Sequence, residues 1–226
     1  MDNNNMIIGI GIGALVLIAG VLAMTGSDAP TDEPVTIMTE RPAPSLGSAD
    51  AKVVLVEYGD FQCPACKAYV NAVDGIRAEY GDQVRIEFRH FPLPMHKNAR
   101  IASEAAEAAF AQGKFWEMYH KLYDEQASWS NMSNPRSTFI EYATALGLDA
   151  VKFEADLSSP DIRGAVQADK AAGEDAGVSY TPYFILNGKN FENPDTVDEF
   201  KKLIADELAK AGGAAASKAT STLPLQ

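Results

Sequence analysis

Cys63-Pro64-Ala65-Cys66 holds the only two cysteines of a 226-residue chain and sits where two sequence patterns meet. Before it runs Val53-Val54-Leu55-Val56, a continuous apolar, Val-rich stretch of the kind buried on both faces of a central strand. After it the chain reads as helix to about Tyr80. A cysteine at such a junction meets N–H groups that lack intrahelical partners and the positive end of the helix dipole. A thiolate at Cys63 is therefore stabilised and its pKa falls. Cys66 lies one turn further in, close enough to attack a disulfide formed by Cys63. Pro64 takes the first helical position, where its missing N–H costs nothing and its fixed φ suits a helix. The pair reads as a dithiol–disulfide redox centre.

Two blander readings compete with it. A structural disulfide seldom closes so short a loop, because a short loop removes little entropy from the unfolded chain. Structural zinc wants four ligands, and the remaining candidates, His90, His96 and His120, are scattered rather than at knuckle spacing. No metal and no organic cofactor is implied.

Composition bounds the rest. With 46% hydrophobic and 9% aromatic residues the chain can bury one sizeable core, with appendages. A formal net charge of −12 argues against nucleic acid or anionic lipid as a charge-driven partner.

Met6 to Met24 is an uncharged apolar and small-residue run that just spans a hydrocarbon core of roughly 30 Å. Its glycines suit a membrane span better than an exposed helix. An uncleaved anchor over residues 1–24 is expected, the rival being a cleaved signal peptide, which normally carries a basic start that is missing here. Residues 25–45, with Pro30, Pro34, Pro42 and Pro44, read as an extended tether, with strand character at Val35–Met38.

The domain is expected to begin near Leu46. Its first strand in the sequence is Val53–Tyr58, interrupted by Glu57. A carboxylate at the end of a buried strand, six residues before Cys63, is costly unless it has a task or turns to solvent. Gln83–Phe91 alternates as a second strand. From Lys97 to about Lys170 the periodicity is helical, broken at Gly113, Ser130–Pro135, Gly147 and Ser158–Pro160, which predicts four or five helices. Asn131-Met132-Ser133 matches a glycosylation acceptor, a pattern common by chance. Tyr183–Leu186 reads as a strand, Asn187-Gly188 as a tight hairpin turn, and Lys189–Phe191 as its return. Pro194 and Asp195 open a last amphipathic helix, and residues 211–226 lack a core-forming pattern.

This order, with Cys-x-x-Cys after the first strand, resembles the thioredoxin fold with an all-helical insertion, an α/β architecture preceded here by one transmembrane helix. More narrowly, residues 46–208 resemble the DsbA-like family of extracytoplasmic thiol–disulfide oxidoreductases. The residues that carry the likeness are Glu57-Tyr58-Gly59-Asp60-Phe61-Gln62-Cys63-Pro64-Ala65-Cys66, Phe91-Pro92-Leu93, and Gly177-Val178 with Thr181-Pro182 ahead of Asn187-Gly188. The resemblance makes Cys63 the exposed nucleophile and Cys66 the buried resolving thiol, with Pro64 and Ala65 between them facing substrate. It makes Glu57 the buried acid that relays a proton to and from Cys66. Pro182 resembles the cis-proline that lies against the pair, with Thr181 offering its backbone to a client's extended chain. In one respect the chain departs from the family: strongly oxidising members have His where this chain has Ala65.

The implied function is a membrane-anchored enzyme outside the cytoplasm. It donates a Cys63–Cys66 disulfide to unfolded or partly folded exported proteins and is reoxidised by a membrane redox partner. A reductase or isomerase, or a tethered chaperone-like binding module with a structural disulfide, are the alternatives.

Overall fold

The computed structural model describes residues 41–212. Over them the chain runs β1 (Ser45–Leu46), β2 (Val53–Gly59), α1 (Pro64–Tyr80), β3 (Val84–His90), α2 (Ala99–Phe110), α3 (Phe115–Asp124), α4 (Gln126–Trp129), α5 (Arg136–Ala145), α6 (Ala150–Asp156), α7 (Pro160–Asp175), β4 (Tyr183–Leu186), β5 (Lys189–Asn190) and α8 (Val197–Lys210). The five strands form one sheet in the order β1-β3-β2-β4-β5. β2 is central, parallel to β3 and antiparallel to β4, and Glu57 lies in register with Phe88 on one side and Phe184 on the other.

A strand paired on both edges and covered on both faces has no solvent side, which is why Val53-Val54-Leu55-Val56 does not alternate. Its two faces feed different clusters. Val53 and Leu55 pack with Val73 and Ile76 of α1 and with Phe200, Ile204 and Leu208 of α8. Val56 and Tyr58 pack with Phe91, Val178 and Ile185 on the opposite face. The helical block builds its own core around Met118, Tyr119, Leu122, Trp129, Phe139 and Phe153, continuous with Phe61, Cys66 and Phe88. The site thus lies where sheet and helical block meet.

Local chemistry fixes the element ends. Asn187 and Gly188 have φ of 50° and 78°, so both central turn residues are left-handed, as a tight primed hairpin requires. Thr196 and Glu199 cap α8 reciprocally, side chain to backbone in both directions.

Several expectations need correction. The helical insertion holds six helices rather than four or five, and it runs past Lys170 to Asp175. α4 has only 4 residues, too few to show a periodicity, and hides in the stretch before the Ser130–Pro135 break. The last helix starts at Val197, with Thr196 as cap, rather than at Pro194. Folded structure also begins before Leu46. Ala43 is buried, Ser45 and Leu46 pair with Glu87 and Ile86, and the Arg41 side chain bonds Glu107 and Asp169. The prolines that mark residues 25–45 as a tether suit a sheet edge equally well. The expected anchor, the strand at Val35–Met38 and residues 213–226 lie outside the described residues. Among the described residues, no helix is long and apolar enough to cross a membrane.

Candidate active site

β2 ends at Gly59, the chain turns through Asp60-Phe61-Gln62, and α1 begins at Pro64 with Cys63 as its extended N-cap (φ −74°, ψ 122°). Both thiols are free, so this is the dithiol form. Cys63 is 6% exposed and Cys66 fully buried, so the nucleophile shows only an edge of its sulfur rather than standing open.

The two sulfurs differ sharply in acidity. Cys63 is held down to about 5, chiefly because the Cys66 thiol donates a hydrogen bond to it. Burial opposes the shift, while the Thr181 side chain and the backbone N–H groups of Cys66 and Ala65 add to it. The helix-end donors foreseen from the spacing are present, yet they rank behind the neighbouring thiol. Cys66 is pushed well above an ordinary thiol by burial, by the Cys63 sulfur and by Glu57, against one opposing donor, the Asp60 N–H. That N–H lies 3.5 Å from Cys66 Sγ.

The loop before β4 reaches this pair from far along the chain. The Thr181–Pro182 peptide bond is cis, and Cys63 Sγ lies 3.5 Å from the Thr181 carbonyl oxygen, to which it donates only in its thiol form. The buried Thr181 hydroxyl has no partner in good hydrogen-bond geometry, but its nearness to Cys63 still helps lower that thiol's pKa.

Glu57 does not turn to solvent; it is fully buried. Burial raises its carboxyl to about 8, partly offset by the Tyr119 hydroxyl and reinforced by Asp74. Tyr119 Oη donates to Glu57 Oε2 at 3.4 Å, and Oε1 has no hydrogen-bond partner. At neutral pH this is mostly a neutral carboxylic acid, able to give a proton and take one back.

Other residues that hold the loop escaped the sequence reading. Asp60 is fully buried, and its carboxylate accepts from the Gln62 N–H (2.7 Å), the Leu93 N–H (2.9 Å) and His96 Nδ1 (2.7 Å). The sequence carries a partial signal, since Asp at a strand-to-helix turn often bonds the N–H two residues on. Gln126 of α4 donates to the carbonyls of Phe61 (2.8 Å) and Cys63 (3.0 Å), a link across the helical block with no local signature.

A second polar cluster sits at the end of β3. Asp169 accepts from Arg89 Nη1 (3.1 Å), Arg41 Nη2 (3.1 Å) and the His90 N–H (3.2 Å). Glu107 pairs with Arg41 and, at 3.1 Å, with His90 Nε2. Burial alone would raise Glu107, but His90 and Arg41 outweigh it and hold the carboxyl below its ordinary value. The His90 ring lies 6.1 Å from that of Phe61, so the cluster backs the active-site turn without touching the sulfurs. Among the described residues, no three His, Cys, Asp or Glu side chains converge as a metal site.

Comparison with known proteins places this geometry in a family. The thioredoxin family's sequence profile matches residues 39–206. Among curated relatives, the Na(+)/H(+) antiporter NhaA 1 of Mycolicibacterium vanbaalenii is 39% identical over 172 residues, 72% of this chain and 27% of that protein. NhaA of Herminiimonas arsenicoxydans is 38% identical over 143 residues, 63% of this chain and 22% of its own length. The chain thus spans about a quarter of the antiporters it matches. Among solved structures, oxidised BdbD of Bacillus subtilis superposes with a TM-score of 0.66 at 25% identity, covering 74% of this chain and 93% of that one. Wolbachia pipientis alpha-DsbA1 shares the fold with a TM-score of 0.65 at 20% identity, covering 75% and 94%. With a buried Cys-x-x-Cys pair at the start of α1 and the Thr181–Pro182 loop against it, the chain belongs to the thioredoxin family and has the fold of the DsbA-like thiol–disulfide oxidoreductases.

Proposed function

We propose that the protein works outside the cytoplasm as a disulfide donor, passing a Cys63–Cys66 disulfide to reduced cysteines of exported proteins, with residues 1–24 as its membrane anchor. The observation that carries the direction is the split between the sulfurs: Cys63 near 5 and Cys66 well above an ordinary thiol. A stabilised Cys63 thiolate favours the reduced enzyme, and an enzyme that prefers to be reduced is an oxidant of its clients. Ala65 takes no part through its side chain, so the shift here relies on the Cys66 thiol, Thr181 and backbone N–H groups.

In the donating direction a client thiolate attacks Cys63 Sγ of the disulfide. The Cys63–Cys66 bond breaks, Cys66 leaves as a thiolate, and Glu57 gives it a proton. A second client thiolate then attacks the client sulfur of the mixed disulfide and expels Cys63 as a thiolate. The client gains a disulfide and the enzyme is left reduced. Thr181, its carbonyl beside Cys63, offers backbone groups to which an extended client segment adds as a strand. Reoxidation requires an outside acceptor, which we assign by family analogy to a membrane redox protein.

Equilibration with glutathione redox buffers tests the direction. A potential near the strongly oxidising end of the family, about −120 mV, is expected, whereas one near thioredoxin's, about −270 mV, would make the protein a reductase.

A further inference from the structure

We propose that Tyr119 is a positioning residue for disulfide exchange: its hydroxyl, bonded to Glu57 Oε2, determines how readily Glu57 takes the proton of Cys66. The inference rests on the reading of Glu57 as the proton relay, and adds a residue to it.

The geometry singles Tyr119 out. Glu57 and Tyr119 are both fully buried, so bulk water does not solvate the carboxyl. Among the described residues, Tyr119 Oη is the one hydrogen-bond partner of the Glu57 side chain, at 3.4 Å, and no cation bonds either oxygen. The strand neighbours in register, Phe88 and Phe184, are apolar. The titratable groups that act on Glu57 come from two helices: Cys66 and Asp74 of α1, the latter paired with His120, and Tyr119 and Tyr123 of α3. Of these, only Tyr119 touches the carboxyl with a donor. Its ring is wedged against Phe61 (5.9 Å), Phe88 (5.6 Å) and Tyr123 (4.9 Å), all edge-on, which fixes where the hydroxyl points.

Reoxidation exposes the consequence. When Cys66 resolves a mixed disulfide at Cys63, its proton passes to the Glu57 carboxylate. The Cys66 sulfur then attacks Cys63 Sγ, and the outside thiolate leaves. A donor on Oε2 favours the carboxylate, so Tyr119 enlarges the fraction of enzyme able to take that proton below about pH 8. Losing the donor shifts the balance toward the neutral acid.

The test follows the pH profile of glutathione release from the Cys63–glutathione mixed disulfide, with oxidised glutathione as the probe. In Tyr119→Phe the midpoint is expected to move up by about one unit, slowing resolution at pH 7 about tenfold. The pH midpoint of Cys63 alkylation should stay in place, which a general loosening of the site would not allow. In a Glu57→Gln background the added Tyr119→Phe should change nothing. Difluorotyrosine at position 119, a more acidic donor, should move the midpoint down, which keeps the test open if Tyr119→Phe folds poorly. If Glu57→Gln slows resolution but neither change at Tyr119 moves the profile, the inference is overturned while the relay stands. If Glu57→Gln itself leaves resolution unchanged, the relay reading falls and this inference with it.

Discussion

Cys63 Sγ lies 3.5 Å from the carbonyl oxygen of Thr181, a contact between the first residue ahead of α1 and a loop 118 residues further along. It joins the sulfur to the backbone segment that, in the function proposed above, receives a client strand, and so places the two proposed roles side by side in the fold. The same threonine helps hold Cys63 acidic, though less than the Cys66 thiol does.

That ranking gives the first prediction. In the reduced protein the ultraviolet thiolate signal of Cys63 should titrate with a midpoint near 5. Cys66→Ala removes the strongest stabilising donor and should raise that midpoint further than Thr181→Val does. The reverse order would show that the loop, not the thiol pair, sets the acidity of Cys63.

Glu57 links the site to stability. Its folded pKa is raised from 4.5 to about 8, so what it contributes to stability is fully present below pH 4.5 and is lost as pH rises through about 8. Glu57→Gln stays neutral throughout and escapes that loss. The variant should therefore gain on the parent between pH 4.5 and pH 8, by up to roughly 5 kcal/mol if the unfolded carboxyl titrates normally. Cys63 works with the opposite sign: depressed to about 5, it stabilises the reduced fold above the ordinary thiol range, and that contribution fades as pH falls through 5. Urea unfolding of both proteins at several pH values checks this. A parallel pH dependence for the two would mean that Glu57 titrates normally in the fold.

Much of this was legible in the chain, for physical reasons. Cys63-Pro64-Ala65-Cys66 joins a doubly buried strand to a helix start, and both patterns are local enough to read directly. Asn187-Gly188 announces a hairpin because its left-handed geometry suits few other residues. What escaped is held by distance. The Arg41 side chain joins the fold through Glu107 and Asp169, 66 and 128 residues away, and no local period reveals such partners. Gln126 and Asn98 look like ordinary helix-boundary residues until the fold sets them on the carbonyls of Phe61, Cys63 and Trp129. α4 was missed because a single turn leaves no periodic trace.

The cluster at the end of β3 yields a stability prediction. Asp169 is fully buried and serves both Arg41 and Arg89, and the Arg89 side chain is itself only 6% exposed. Asp169→Ala leaves the buried Arg89 guanidinium with only the longer Glu87 pair at 3.5 Å, so the loss expected is about 3 kcal/mol, the low end of what breaking a buried ion pair costs. Arg41→Ala should cost less, because the Arg41 side chain is 25% exposed and its charge is easier to lose to water. Denaturant midpoints of the two variants give the comparison, and an equal loss for both would mean that the cluster's energy lies in the N-terminal segment rather than in the buried pair.

Asp60 supports the last prediction, since one residue serves two parts of the site. Its N–H reaches Cys66 Sγ, while its carboxylate ties together the Gln62 N–H, the Leu93 N–H and His96. An asparagine keeps the shape and one acceptor oxygen, but turns an NH2 toward groups that need an acceptor. Asp60→Asn then leaves a buried donor unsatisfied, most directly the Leu93 N–H, at a cost of roughly 1–3 kcal/mol. The functional effect should fall on Cys66, because a turn that has lost its anchor holds the Asp60 N–H less firmly against that sulfur, and the Cys66 thiolate loses its one opposing donor. Resolution of a Cys63 mixed disulfide should slow several-fold, with alkylation of Cys63 nearly unchanged, because the donors that act on Cys63 lie on α1 and at Thr181. His96→Gln, which preserves a donor toward the carboxylate, should come close to the parent in both measurements. A matched loss of alkylation and resolution in Asp60→Asn would show that the turn carries both sulfurs as one unit, and would remove Asp60 from any role specific to Cys66.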